Sequence, residues 1–339
     1  MNDTTRPLTR LGSRAVFLIW GAPRGSHRSK SMVERLGIDL KYIYFTTRRG
    51  KFIAPLKYLC QTIMTLIFLV RKRYQLVFIQ DPPIFAVLPA YLCSLFSSTR
   101  FVIDAHTPPL TSPAWAWTLP LHRFLSRRAI TTIVTNDHLQ KLVASWGAHA
   151  FVLEDPPIKP DLSRPMHLED AALNIAVVSL ASPDEPIEEV LGAARNLPDM
   201  HFYITGDFEK SYQHIIDSAP PNAHFMGYLK EEFFPLLDAA DVVLDLCVDD
   251  HQFLSGANEA LWLGKPLVTS KGTVLESYFN KGTIHVDNTA EGIRQGLLEM
   301  QKHLADFQVG ILALQDERRG QWYEKAQALL ALIQENTSF

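Results

Sequence analysis

Four prolines fall within ten residues in PPIKPDLSRP (156–165), and one pattern of short apolar runs alternating with helix-like stretches lies on both sides of it. No other feature restricts the fold as much. A proline cluster stops helices and inner strands alike, whereas alternating strands and helices build parallel sheets. Before the break, AVFLIW (15–20), IDLKYIYF (38–45), YQLVFIQ (74–80), FVIDAH (101–106), TTIVTN (131–136) and AFVLE (150–154) read as strands, with helical stretches over 84–96, near 115–128 and over 137–146. After it, LNIAVVSL (173–180), HFYITG (201–206), AHFMGY (223–228), DVVLDLC (241–247), PLVTS (266–270) and TIHVD (283–287) repeat the pattern, and a helical region closes the chain over 289–337. Runs as apolar as AVFLIW suit strands buried on both faces. The expectation is an α/β protein of two Rossmann-like, doubly wound parallel-sheet domains facing across a cleft. Their spans are 1–157 and 158–339, with the last helix able to return to the first domain. Ligands of such sheets bind at the carboxyl ends of the strands.

A formal net charge of −3 gives no global electrostatic case for nucleic acid, although Lys and Arg cluster toward the N-terminus. Cys60, Cys93 and Cys247 sit in apolar runs at spacings that fit no metal site, as expected of buried thiols in a reducing compartment. The opening MNDTTRPLTRLG lacks the apolar core of a signal peptide. The expected location is the cytoplasm, or the inner face of the plasma membrane. The stretch FIAPLKYLCQTIMTLIFLV (52–70) has Arg48, Arg49 and Lys51 before it and Arg71, Lys72 and Arg73 after it. Pro55, Lys57 and Gln61 argue against a membrane span. Two readings stay open: a core helix of the first domain, or a helix held on an anionic membrane surface by the apolar face and basic flanks of 52–73.

The candidate binding residues centre on DDHQFLSGANEALWLGKPLVTS (249–270), read as a loop, a short helix, a glycine stop and a strand. Glu259 falls in the first turns of that helix, where a carboxylate either serves the helix dipole or faces a ligand. FMGYLKEEFFPLLDAADVVL (225–244) followed by GANEALWLGKPLVTS resembles the C-terminal domain of GT-B-fold glycosyltransferases, in particular the retaining, family-four-like group that uses nucleotide sugars. SPDEPIEEVLGAARNLPDMHFYITGD (182–207) and VIDAHTPP (102–109) add to the resemblance, which spans nearly the whole chain.

The resemblance implies a donor that is a nucleotide-diphosphate sugar and no other cofactor, and it calls on no metal. The acceptor it implies is a glycan or lipid-linked glycan, in cell-surface polysaccharide synthesis. Glu259 matches the family's second glutamate, which binds the ribose hydroxyls. Leu254, Ser255, Gly256 and Ala257 would present the helix N-terminus to diphosphate or sugar. Gly206 and Asp207 would line the same site, and Tyr228 and Leu229 would read the base through backbone atoms. His106 corresponds to a histidine the family places near the sugar. Two departures stand out. His251 occupies the position of the first glutamate, with Asp249 and Asp250 beside it, and SLASPDEP (179–186) lacks the Arg and Lys that neutralise the diphosphate. Arg24, Gly25 and Arg28, in the loop after the first strand, are the candidates to meet that charge. Asp81 ends another strand of that half. A GT-B nucleotide-sugar epimerase and a non-catalytic GT-B scaffold partnering an active transferase are the alternatives.

Overall fold

A computed structural model describes residues 14–22, 27–46, 53–208 and 212–337. The chain divides into two compact units, one of Met1–Pro157 with Gln321–Phe339 and one of Ile158–Gly320. The last nineteen residues thus belong with the first unit and not with the stretch that starts at 158.

The first unit is built on six parallel strands: β1 (Ala15–Trp20), β2 (Asp39–Ile43), β3 (Leu76–Asp81), β4 (Arg100–Ala105), β5 (Thr132–Val134) and β6 (Ala150–Val152), in the order β2-β1-β3-β4-β5-β6. Helices α1 (His27–Leu36), α2 (Ile53–Lys72), α3 (Val87–Phe96), α4 (Thr107–Thr111), α5 (Leu119–Ser126) and α6 (Asp137–Ser145) make the crossovers. Alternation along β1 feeds two separate cores: Val16, Leu18 and Trp20 enter one, Ala15, Phe17 and Ile19 the other. The second core is closed by the end of the last helix, whose Trp322, Ala326, Leu329 and Ile333 are fully or almost fully buried at helical spacing. Trp322 Nε1 donates to the Glu154 carbonyl at 3.1 Å. The helix expected near 115–128 is instead a 3₁₀ turn over Pro113–Thr118 followed by α5, because Pro120 sits where a helix starts and cannot continue an earlier one.

The second unit holds β7 (Leu173–Val178), α7 (Ile187–Arg195), β8 (Met200–Thr205), α8 (Gln213–Asp217), β9 (Ala223–Gly227), α9 (Phe233–Ala239), β10 (Val242–Asp245), α10 (Ser255–Leu263), β11 (Leu267–Ser270), α11 (Thr273–Tyr278), β12 (Thr283–Val286), α12 (Ala290–Lys302) and the start of α13 (Leu304–Glu335). Its six strands are parallel in the order β12-β11-β10-β7-β8-β9. The order reverses between β7 and β10, next to the first strand of the unit. That is the place where open α/β sheets take their ligands.

The hydroxyl of Thr289 caps α12, accepting from the Gly292 amide at 3.0 Å. Thr289→Ala should lower unfolding free energy by about 1 kcal/mol in urea titrations. An unchanged midpoint would show that the cap adds nothing to the stability of α12.

Candidate functional site

At the switch point of the second unit, α10 starts directly against the ends of β7 and β10. A Cβ on Gly256 would lie 2.5 Å from Val178 and 2.6 Å from an Asp245 carboxylate oxygen, so only glycine permits the helix to dock this closely. The small residues were expected to let a phosphate approach; Gly256 instead lets a strand approach. Asp245, last residue of β10, accepts from the Ala257 amide at 2.7 Å. One of the helix N-terminal donors expected for a ligand is therefore bound by the protein's own carboxyl. Burial pushes the Asp245 pKa up to about 8, against the lowering effect of the Ala257 bond and with a further push from Glu185. Leu254, Gly256 and Ala257 are buried, and Ser255 is the exposed member of that run.

Glu259 lies one turn further along α10 and is only 8% exposed. A buried carboxylate beside the switch point is set apart from an ordinary surface charge. His251 is half-buried in the preceding loop, and its backbone amide donates to the Asp249 carboxylate at 2.8 Å. Asp249 thus shapes this loop. Lys265 caps the end of α9 by donating to the carbonyls of Asp238 and Ala240.

The loop after β7 explains the missing Arg and Lys. Glu185 folds back into it: its carboxylate accepts from the Leu180 amide at 3.0 Å, the Ser182 amide at 3.1 Å and the Ser179 hydroxyl at 2.6 Å. The donors that the loop turns inward already hold an anion. Sequence reasoning missed Glu185; the only signal was its spacing from Ser179 and Ser182, and that spacing carries meaning only once the loop is closed. Gly206 follows β8 and donates to the Gly227 carbonyl at 3.0 Å, while Asp207 is exposed. Gly227 has φ 69°, and among the described residues no atom beyond its chain neighbours lies within 4 Å of where a Cβ would stand, so backbone conformation and not crowding favours glycine there. Beyond it Tyr228 is 61% exposed, and Leu229 packs into the core.

In the first unit, Arg28 on α1 is not the exposed cation expected for phosphate. It is 5% exposed and bridges two carboxylates, Asp104 of β4 at 2.7 Å and Asp155 at 2.5 Å. Burial alone would lower its pKa, but the two aspartates hold it above the usual guanidinium range. A cation neutralised twice has little charge left for a phosphate, which corrects its proposed role. Arg24 and Gly25 lie outside the described residues. Burial pushes the pKa of His106, directly after β4, below its usual value, and its Nε2 is buried with no hydrogen-bond partner among the described residues. Asp81, at the end of β3, sits 3.2 Å from His122 Nδ1. Burial raises the Asp81 carboxyl, with Asp104 adding to it, and lowers His122 to about 4. Asp155 and His122 were not singled out by sequence, since only the sheet brings them to these partners.

Among the described residues one group could hold a metal ion: Glu169, His201 and His224, whose ligand atoms lie within 4.8 Å of one another. It lies near the amino ends of β8 and β9, away from the switch point. Ligands of a tetrahedral zinc stand about 3.4 Å apart at bond lengths near 2.1 Å, so this group is not closed to that geometry.

No family model matches the chain, and no curated protein matches its sequence. Solved structures do match. Anabaena HepE in complex with UDP-glucose is similar with a TM-score of 0.70 at 14% identity, over 94% of this chain and 99% of that one. Sucrose-phosphate synthase from Thermosynechococcus elongatus gives a TM-score of 0.73 at 11% identity, over 95% and 98%. A UDP-N-acetylglucosamine 2-epimerase described as putative, from Listeria monocytogenes, gives 0.65 at 11%, over 95% and 96%. The chain has the two-domain GT-B fold.

Proposed function

We propose that the chain is a glycosyltransferase that takes a sugar from a nucleotide-diphosphate donor to a glycan or lipid-linked glycan, with retention, in cell-surface polysaccharide synthesis. The observation that carries this reading is Glu259, a buried carboxylate on the helix that begins at the switch point of the second sheet. A carboxylate there can accept from both ribose hydroxyls of the nucleotide, each charge-assisted bond contributing about 1.5–3 kcal/mol. The turn at Gly227–Tyr228 would meet the base, and Ser255 the phosphate or sugar. In the first unit the unpartnered Nε2 of His106 suits a sugar hydroxyl, and His251 would stand in for the family's first glutamate beside the donor sugar.

In the reaction, an acceptor oxygen bonds to the anomeric carbon on the face from which the diphosphate leaves. The bond from that carbon to the diphosphate oxygen breaks, and the departing phosphate takes the acceptor's proton. No protein nucleophile is assigned, and the reading calls on no metal. The protein positions the reactants and stabilises the departing charge. A lipid-linked acceptor would place this work at the cytosolic face of a membrane.

The Glu185 carboxylate in the loop after β7 favours a second reading, a GT-B scaffold without transferase activity that partners an active enzyme, because the diphosphate loses its usual cationic seat. Thermal melting with UDP, GDP, ADP and their sugars separates the two. Stabilisation by one nucleotide series is expected, about 2.7 kcal/mol at a hundredfold excess over Kd, and Glu259→Gln should weaken that binding roughly 10–100-fold. A cooperatively melting protein that responds to no nucleotide would exclude the transferase reading. Should one bind, the anomeric configuration of the product, or epimer formed without acceptor, decides between retention and the epimerase chemistry of some GT-B proteins.

A further inference from the structure

Helix α2 turns two polar side chains inward and leaves an apolar stripe outside. Its buried residues are Gln61, Thr65 and Leu69, spaced four apart on one face. Gln61 Nε2 donates to the Ile43 carbonyl at 2.9 Å, and the Thr65 hydroxyl accepts from Trp20 Nε1 at 2.9 Å. On the opposite side Leu56, Leu59, Ile63, Ile67 and Val70 are 47–66% exposed. A surface helix of a water-soluble domain normally has the reverse arrangement. The exposed apolar surface continues onto α3, where Phe96 is 88% exposed beside Leu92 and Leu95. It is also joined to the turn before α5: Tyr58 of α2 stacks on Phe85 at 5.3 Å, and Phe85 meets the exposed Trp117 at 5.8 Å. A contiguous apolar face of this kind marks an interaction site.

Charge identifies the partner. Residues 40–136 contain twelve Lys and Arg but only two acidic residues, Asp81 and Asp104, in a chain whose net charge is −3. Both aspartates are fully buried. Among the described residues the face is predominantly basic: Arg71, Lys72 and Arg73 are exposed at the end of α2, and Arg123, Arg127 and Arg128 at the end of α5, against one exposed acid, Asp39 at the start of β2, which acts on Tyr74. Lys41, Arg71 and Lys72 also rim an open groove of about 390 Å³ floored by Ile43, Met64, Ile67 and Phe68. A second copy of the chain is a poor occupant, since pairing like faces would bring two basic rims together. An anionic bilayer offers both an apolar interior for the exposed side chains and phosphate headgroups for the rim.

We propose that the α2–α3 face of the first unit docks in the plane of an anionic membrane surface. Helix α2 has the length and composition to cross a bilayer, but its Gln61 and Thr65 bonds tie it to the sheet, so it lies along the surface. The inference rests on this face alone and is independent of the donor site.

The test is flotation of the full chain, without nucleotide, with vesicles of phosphatidylcholine alone or mixed with phosphatidylglycerol. Binding to the mixed vesicles, weakened by salt and weak on neutral ones, is expected. Replacing Arg71, Lys72 and Arg73 with Gln should lower the partition coefficient roughly 100-fold, at about fivefold per charge. Leu59→Gln with Ile63→Gln and Ile67→Gln should abolish flotation while leaving the melting temperature close to wild type, because these side chains are already exposed. A cooperatively melting protein that ignores anionic vesicles overturns the proposal. So does equal binding to neutral vesicles that survives the charge substitutions, or a dimer that these substitutions dissolve in a protein with no affinity for vesicles. Loss of vesicle binding would leave nucleotide binding untouched, so the two readings fail separately.

Discussion

Asp245→Asn is expected to stabilise the protein by about 4 kcal/mol at pH 7 and by much less at pH 5, read as the shift in unfolding free energy from urea titrations at the two pH values. In the fold the Asp245 pKa is raised to about 8 by burial at the end of β10, whereas in the unfolded chain an aspartate titrates near 3.9. Between those values the folded state holds a proton that the unfolded state has released, so wild-type stability falls as pH rises from about 4 to about 8. Asparagine has no proton to retain, and its amide oxygen can accept the same bond from the Ala257 amide. The advantage of the variant should therefore grow with pH through this window at about 1.4 kcal/mol per unit. A difference that stays flat between pH 5 and 8 would mean that Asp245 is ionised in the fold.

Arg28→Met should cost about 3–5 kcal/mol, because it leaves Asp104 and Asp155 buried without their shared counter-charge. Methionine approximates the aliphatic length of the arginine, so lost packing contributes less than lost charge. Adding Asp104→Asn and Asp155→Asn to Arg28→Met should recover most of the stability, since the buried charges then vanish together. If the single substitution costs under about 1 kcal/mol, the carboxylates reach water and the triad is not a buried network. If the triple variant is no more stable than the single one, shape and not charge is what Arg28 supplies. The same experiment bears on function: a residue that holds α1 to β4 in this way does not itself carry phosphate.

Much of the architecture was legible in particular runs of residues. AVFLIW and LNIAVV are apolar on both faces, which marks strands covered on both sides, and the prolines of 156–165 mark where one sheet ends and the next begins. Glu259 could be singled out because a carboxylate among Gly, Ala and Leu at a helix start is locally conspicuous. Two other carboxyl groups at the switch point were not: Asp245 reads as an ordinary strand end, and Glu185 as one acid among several before α7. Both acquire meaning from distance, 2.7 Å to the Ala257 amide for one and 2.6–3.1 Å to the loop donors for the other.

The orientation of α2 shows the same division. From sequence, residues 52–70 read as a core helix or a membrane-surface helix, since composition says how apolar a helix is and not which side it buries. Hydrogen bonds from Gln61 and to Thr65 decided that. Local spacing, proline placement and hydropathy by themselves determined the order of strands and helices and the division near residue 157, because those preferences act over a few residues along the chain. Which charge neutralises which, as in Arg28 with Asp104 and Asp155, was decided only by the tertiary structure: such pairs join positions 76 and 127 residues apart, and low dielectric makes them matter only after the sheet has brought them together and removed the water.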